Sequence, residues 1–224
     1  MRNIQQNSGD LGRTAAGTSR LLLLAGVVVL AAAGSRARAE EIDAADRARA
    51  ETIAVTVCGT CHGVDGNSIQ PKFPRLAGQN ANYLAAQLKA FRAQTRGDPD
   101  AIAYMWGMAN QLDDTTINAL AAYYAAQKPT AGPRADQAAV TRGREIYAHG
   151  ISAEGVPACS SCHGTDAHGM QDFPRLASQH AQYVLKQLAS FQSNMRKVAI
   201  MHGVAQNLRV PEMESVAAFL QAQP

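Results

Sequence analysis

At 224 residues the chain has room for one large domain or two small ones. Its 21 basic and 18 acidic residues leave a net charge of +3, but five arginines and one acid fall in residues 1–39. The remainder carries 16 basic and 17 acidic residues, net −1, with no basic stripe interleaved with aromatics, so nothing points to a nucleic-acid partner.

Residues 1–39 read as an export signal. Arg13 and Arg20 precede an unbroken apolar run, Leu21 to Ala33, and Ala37-Arg38-Ala39 fits the small-x-small cleavage rule with Glu40 as the new N-terminus. A membrane span needs about 20 apolar residues, so the run is short for an anchor. An uncleaved signal anchor is the competing reading. The expected location is the periplasm, where free cysteines are sparse.

The first domain is expected over residues 40–128. An Ala-rich helix from Asp43 to about Val57 leads into Cys58-Gly-Thr-Cys61-His62. This C-x-x-C-H pattern is the attachment signature of haem c. Two thiols two residues apart can each add to one vinyl group of a single porphyrin, and the next residue brings its imidazole under the iron. A loop over 64–72, with Asp65-Gly66 and Pro71, follows. Tyr83, Leu84, Leu88 and Phe91 then keep helical spacing across about 80–94. Residues 95–101 read as loop. A last helix over about 115–127 is entered through Asp113-Asp114, which suit an N-cap and first turn.

Pro129, Gly132 and Pro133 mark a linker at 129–135, and the plan repeats over 136–224. Helices are expected at 136–148, 181–193 and 211–221, the last with Pro211 at a tolerated first position. The second motif is Cys159-Ser-Ser-Cys162-His163. Phe73-Pro-Arg-Leu-Ala77 recurs as Phe173-Pro-Arg-Leu-Ala177, and Tyr83, Gln87, Leu88 and Phe91 recur as Tyr183, Gln187, Leu188 and Phe191. This is a tandem duplication, all-α, with no strand of convincing alternation. The two motifs use all four cysteines. A four-thiolate zinc site is disfavoured, because its Cys pairs usually stand ~15–20 residues apart, far closer than these. A redox dithiol needs no following histidine. Two covalent haem c groups are therefore expected, each supplying apolar core to a half too small to build a large one.

Each iron then needs a sixth ligand. Beyond residue 39 the first half has no histidine but His62, and its only methionines are Met105 and Met108. Met105-Trp-Gly-Met108 aligns with Met201-His-Gly-Val204, so the repeat selects Met105 and Met201 as ligands opposite His62 and His163. Met108, Met170, Met195 and Met213 are assigned to packing against haem or core. His149, His168, His180 and His202 leave a histidine ligand open in the second half, although each reads better as a surface or loop residue. His/Met ligation closes the coordination sphere and raises the reduction potential, which points to one-electron transfer rather than enzymatic turnover.

Two CxxCH domains in tandem, each with FPRLA and a methionine before its last helix, resemble the dihaem cytochrome c4 family over about residues 43–222. The resemblance implies two class I cytochrome c domains, each of three main helices around one covalently bound haem, with propionate edges close together across the domain interface. It implies a periplasmic carrier taking electrons from a membrane quinol-oxidising complex to a terminal oxidase or reductase, such as a haem–copper oxidase, through peripheral contact with those complexes. The cytochrome subunit of a periplasmic dehydrogenase is the alternative. By the same resemblance Pro74 and Pro174 give a carbonyl to the proximal imidazole, and Arg75 and Arg175 are candidates to neutralise propionates. Tyr83 and Tyr183 stand between propionate bonding and core packing.

Overall fold

The computed structural model describes residues 42–224. The expected export signal at 1–39 lies outside the described residues. Asp43 caps α1 (Ala44–Ile53), its carboxylate accepting the Asp46 N–H at 2.8 Å. The helix does not stop before the cysteine motif. It continues through a π-turn, Ala54–Cys58, into α2 (Gly59–His62), so the Cys-x-x-Cys-His segment is itself helical. α3 (Ala81–Arg92) is capped by Asn80, and α5 (Asp114–Ala125) by Asp113, which accepts the Thr116 N–H at 2.7 Å. The second half runs α6 (Gln137–His149), α7 (Ser160–His163), α8 (Ala181–Gln192), α9 (Ala199–Ala205) and α10 (Val210–Ala222). Among the described residues there is no strand, only the Ile151–Val156 bridge that closes the loop before the second motif. No described helix is long and apolar enough to cross a membrane.

The halves differ where five extra residues separate His62 from Met105 relative to His163 and Met201. The expected loop over 95–101 is shorter than predicted. Helix begins at residue 99, passes a second π-turn at Ala101–Met105 and ends as α4 (Trp106–Ala109). In the second half α9 alone occupies this place. One helical turn absorbs about 3.6 residues, and a π-turn absorbs one more. Four of the five residues fall between Arg96 and Met105 and are thus taken up within the helix that carries Met105, and the fifth falls between His62 and Phe73.

In each half the first helix crosses the last, α1 on α5 and α6 on α10. The sequences solve that crossing differently. A Cβ on Gly143 would lie 1.9 Å from the Ser215 carbonyl oxygen, so α6 and α10 approach backbone to backbone there. In α1 the corresponding face presents Ala50, 1% exposed, followed by Ala54, fully buried. Three buried clusters result: Leu84, Leu120 and Tyr124 anchor one, Tyr147, Met213 and Phe219 another, and Phe91, Ala101 and Ala109 a third beside Met105. Replacing Gly143 with Ala should cost roughly 1–3 kcal/mol by overpacking, read as a lower denaturant midpoint for the holoprotein.

Candidate functional site

A continuous cavity of about 1390 Å³ runs through both halves. Its wall includes all four cysteines, His62, His163, Met105 and Met201. Two geometric details prepare the imidazoles. His62 Nδ1 lies 2.8 Å from the Pro74 carbonyl, and His163 Nδ1 lies 3.0 Å from that of Pro174. A carbonyl can only accept, so Nδ1 carries the hydrogen and Nε2 keeps its lone pair. Burial lowers the pKa of both rings, offset in part by the proline carbonyl, which keeps them neutral as ligation requires. Phe73 and Phe173 pack edge-on against these rings, with centroids 6.1 and 6.0 Å away.

The other histidines take no part in the cavity wall. His149 and His168 are exposed. His202 bonds through Nδ1 to the Phe191 carbonyl at 2.8 Å, in the position where Trp106 donates to the Arg96 carbonyl. His180 lies in the loop that enters α8, as expected, but is buried there. It is 3% exposed and donates from Nε2 to the Ser68 carbonyl of the other half at 2.9 Å. The spare methionines also divide differently from expectation. Met213 is buried in the core, whereas Met170 and Met195 are each 45% exposed, and Met108 sits at the cavity rim, 59% exposed.

The halves meet along a polar seam with approximate two-fold symmetry. The Gln79 side chain brackets the Arg175 backbone, accepting from its N–H and donating to its carbonyl, both at 2.8 Å. Gln179 does the same to Arg75, both at 2.9 Å. Arg75 also donates through Nη1 to the carbonyls of Thr130 and Ala131, fastening the interdomain segment. Deeper in the seam lie Arg96 and Arg196. Arg96 donates to Gln87, to Gln187 and to the Tyr183 hydroxyl at 2.7, 2.9 and 3.1 Å. Arg196 donates to Gln187, Gln87 and the Tyr83 hydroxyl at 2.7, 2.8 and 2.8 Å. Burial works against the Arg96 charge, but Tyr183, Tyr83 and Asp98 outweigh it and hold the guanidinium pKa above its usual range. No local pattern marks these arginines; their recurrence at the offset of the repeat was the signal available.

The residues present fit haem c. Each half offers a thiol pair, a neutral imidazole with a free Nε2, and an apolar wall that includes Leu88 and Phe91, or Leu188 and Phe191. Arg75 and Arg196, each with a guanidinium Nε that has no partner among the described residues, both line the cavity, and a guanidinium there suits a carboxylate such as a propionate. The family model described as cytochrome c matches residues 47–127 and 140–223. The chain is 38% identical to a cytochrome c4 of Azotobacter vinelandii, over 90% of this chain and 95% of that one. The crystal structure of reduced cytochrome c4 from Pseudomonas stutzeri superposes with a TM-score of 0.71 at 36% identity, covering 80% of this chain and 97% of that one. A thiosulfate dehydrogenase electron acceptor of Thiomonas intermedia is 36% identical over 75% of this chain and 78% of its own. The chain belongs to the dihaem cytochrome c4 family. It is an electron-transfer protein with two haem c groups, one in each tandem domain, at the cysteine pairs 58/61 and 159/162.

The seam carries a pH dependence. Burial lowers the His180 pKa, the bond to Ser68 partly opposes this, and Arg75 adds to the lowering. The unfolded chain therefore takes up a proton near the ordinary imidazole value of about 6.5 before the folded chain does, and stability falls as pH drops below it. His180→Asn introduces the residue that caps α3 at the matching position, Asn80, and should reduce this loss. Denaturant midpoints of both proteins at pH 7.5 and 5.5 measure the difference.

Proposed function

We propose that the protein is a periplasmic carrier in which each iron is held between a histidine and a methionine, His62 with Met105 and His163 with Met201. The observation that supports the reading is that one cavity wall includes both neutral imidazoles, each with a free Nε2, and both thioethers, Met105 and Met201. A haem so held exchanges single electrons and has no open coordination position. Pro74 and Pro174 orient the imidazoles through their carbonyls, which raises ligand basicity. Arg75 and Arg175 both line the cavity and are the proposed partners of propionates. Domain boundaries of 40–128 and 136–224 are proposed from the sequence repeat, with residues 129–135 between them and a cleaved signal before residue 40.

The proposed electron donor is a membrane quinol-oxidising complex, and the acceptor a terminal oxidase or reductase. The relative named as a thiosulfate dehydrogenase electron acceptor supports a second reading, in which a periplasmic dehydrogenase loads the protein. Copurification with a dehydrogenase chain, or rapid reduction by one in the presence of its substrate, selects that reading; reduction only by a quinol-oxidising complex selects the first.

Met105→Ala and Met201→Ala should each open one iron. The reduced variants should then bind carbon monoxide at one haem and lose one high-potential couple, whereas wild type and Met108→Ala should not bind it rapidly. Rapid carbon monoxide binding by the wild-type protein would overturn the closed-iron reading.

A further inference from the structure

The seam is symmetric in shape and asymmetric in charge. Arg96 and Arg196 are 7% and 5% exposed, and each lies over the phenylalanine of its own half, 4.7 Å from Phe91 and 4.6 Å from Phe191. Both contact the same two glutamines. The difference comes at the start of the methionine-bearing helix. In the first half residue 98, immediately before that helix, is Asp98, which is 2% exposed. Its Oδ1 accepts from Arg96 Nε at 2.7 Å and its Oδ2 from the Ala101 N–H at 3.3 Å. In the second half the residue before α9 is Val198, and the buried Arg196 Nε has no partner among the described residues. The first half thus places one buried negative charge in the cavity wall where the second places none.

We propose that Asp98 makes the two haem sites electrically unequal, holding the first haem easier to oxidise than the second. This rests on the dihaem His/Met reading above. A negative charge stabilises the more positive ferric iron, and in a seam closed to water its effect is weakly screened. A unit charge acting over ~10 Å through an effective dielectric of ~20 changes an oxidised-to-reduced ratio on the order of tenfold. Asp98 stands at the head of the helix that carries Met105, so the first haem feels it more. One electron passing between the halves then takes the first iron from Fe(II) to Fe(III) and the second from Fe(III) to Fe(II), with no proton required. Asp98 acts here as a tuning residue without touching iron.

The test is a spectroscopic redox titration of the holoprotein and its variants. Asp98→Asn removes the charge while keeping the size and capping ability of the side chain. It should shift the first haem toward the reduced form by about tenfold at fixed potential, equivalent to about 59 mV for one electron, and the second haem by less. Val198→Asp supplies the missing carboxylate beside Arg196 and should shift the second haem the other way. Placing each substitution in a Met105→His or Met201→His background assigns the couples, because loss of the Met ligand removes one haem from the high-potential range. Equal shifts of both haems in Asp98→Asn, or none, overturn the proposal, as does a Val198→Asp protein whose second haem does not move. If Asp98→Asn fails to fold, the Val198→Asp arm decides alone. Wild-type protein lacking two low-spin His/Met couples would instead refute the ligand reading on which the proposal stands.

Discussion

Neither half closes an apolar core on its own. The buried side chains form small clusters around a cavity whose wall is drawn from nearly every element, and the two haem groups of a dihaem cytochrome supply the apolar body that these clusters surround. The rest follows from that requirement. The cysteine motifs must be helical so that two thiols point one way. The proline after each motif must return to hold the imidazole, which FPRLA achieves by laying Pro74 and Pro174 carbonyls within 3.0 Å of Nδ1. The first and last helices must cross closely enough to brace the open side. Glycine at 143 and alanine at 50 are two answers to that steric demand.

The second organising feature is the seam. Most domain interfaces within a chain are modest and permit relative motion. This one buries two arginines, two glutamines and two tyrosine hydroxyls in reciprocal bonds, and brackets two backbone segments with glutamine side chains. Removing one partner would leave a buried charge short of acceptors, which costs far more than the net worth of one hydrogen bond. The interface therefore holds the two halves of the cavity in fixed relation. Duplication explains its symmetry. Divergence after duplication explains Asp98 against Val198, His180 against Asn80, and the Lys186–Asp100 pair at 2.7 Å, which joins the halves on one side only.

Much of the fold was legible because it rests on local rules. Helix caps at Asp43, Asp113 and Asp136 are short-range chemistry, and the expected boundaries of the three main helices in each half fall close to those observed. Residues 99–101 read as loop because Gly97 and Pro99 look like breakers, yet they open the helix that carries Met105, with Pro99 at a tolerated first helical position. Residue type alone points Met170 and Met195 to packing, and residue type does not reveal which way a turn faces.

The sequence by itself determined the haem chemistry. Two thiols at a spacing of three followed by histidine leave few chemical alternatives, and the local match of Gly107 and Leu112 to Gly203 and Leu208 pairs Met105 with Met201. It also determined the all-α tandem plan, because helical periodicity and capping act within a few residues. Only the tertiary structure decided what lies between the halves. Arg96 and Tyr183 stand 87 residues apart in the chain, and Arg196 and Tyr83 stand 113 apart. No periodic pattern encodes such a contact. It exists because two copies of one surface, each too polar to be buried alone, satisfy one another when folded face to face.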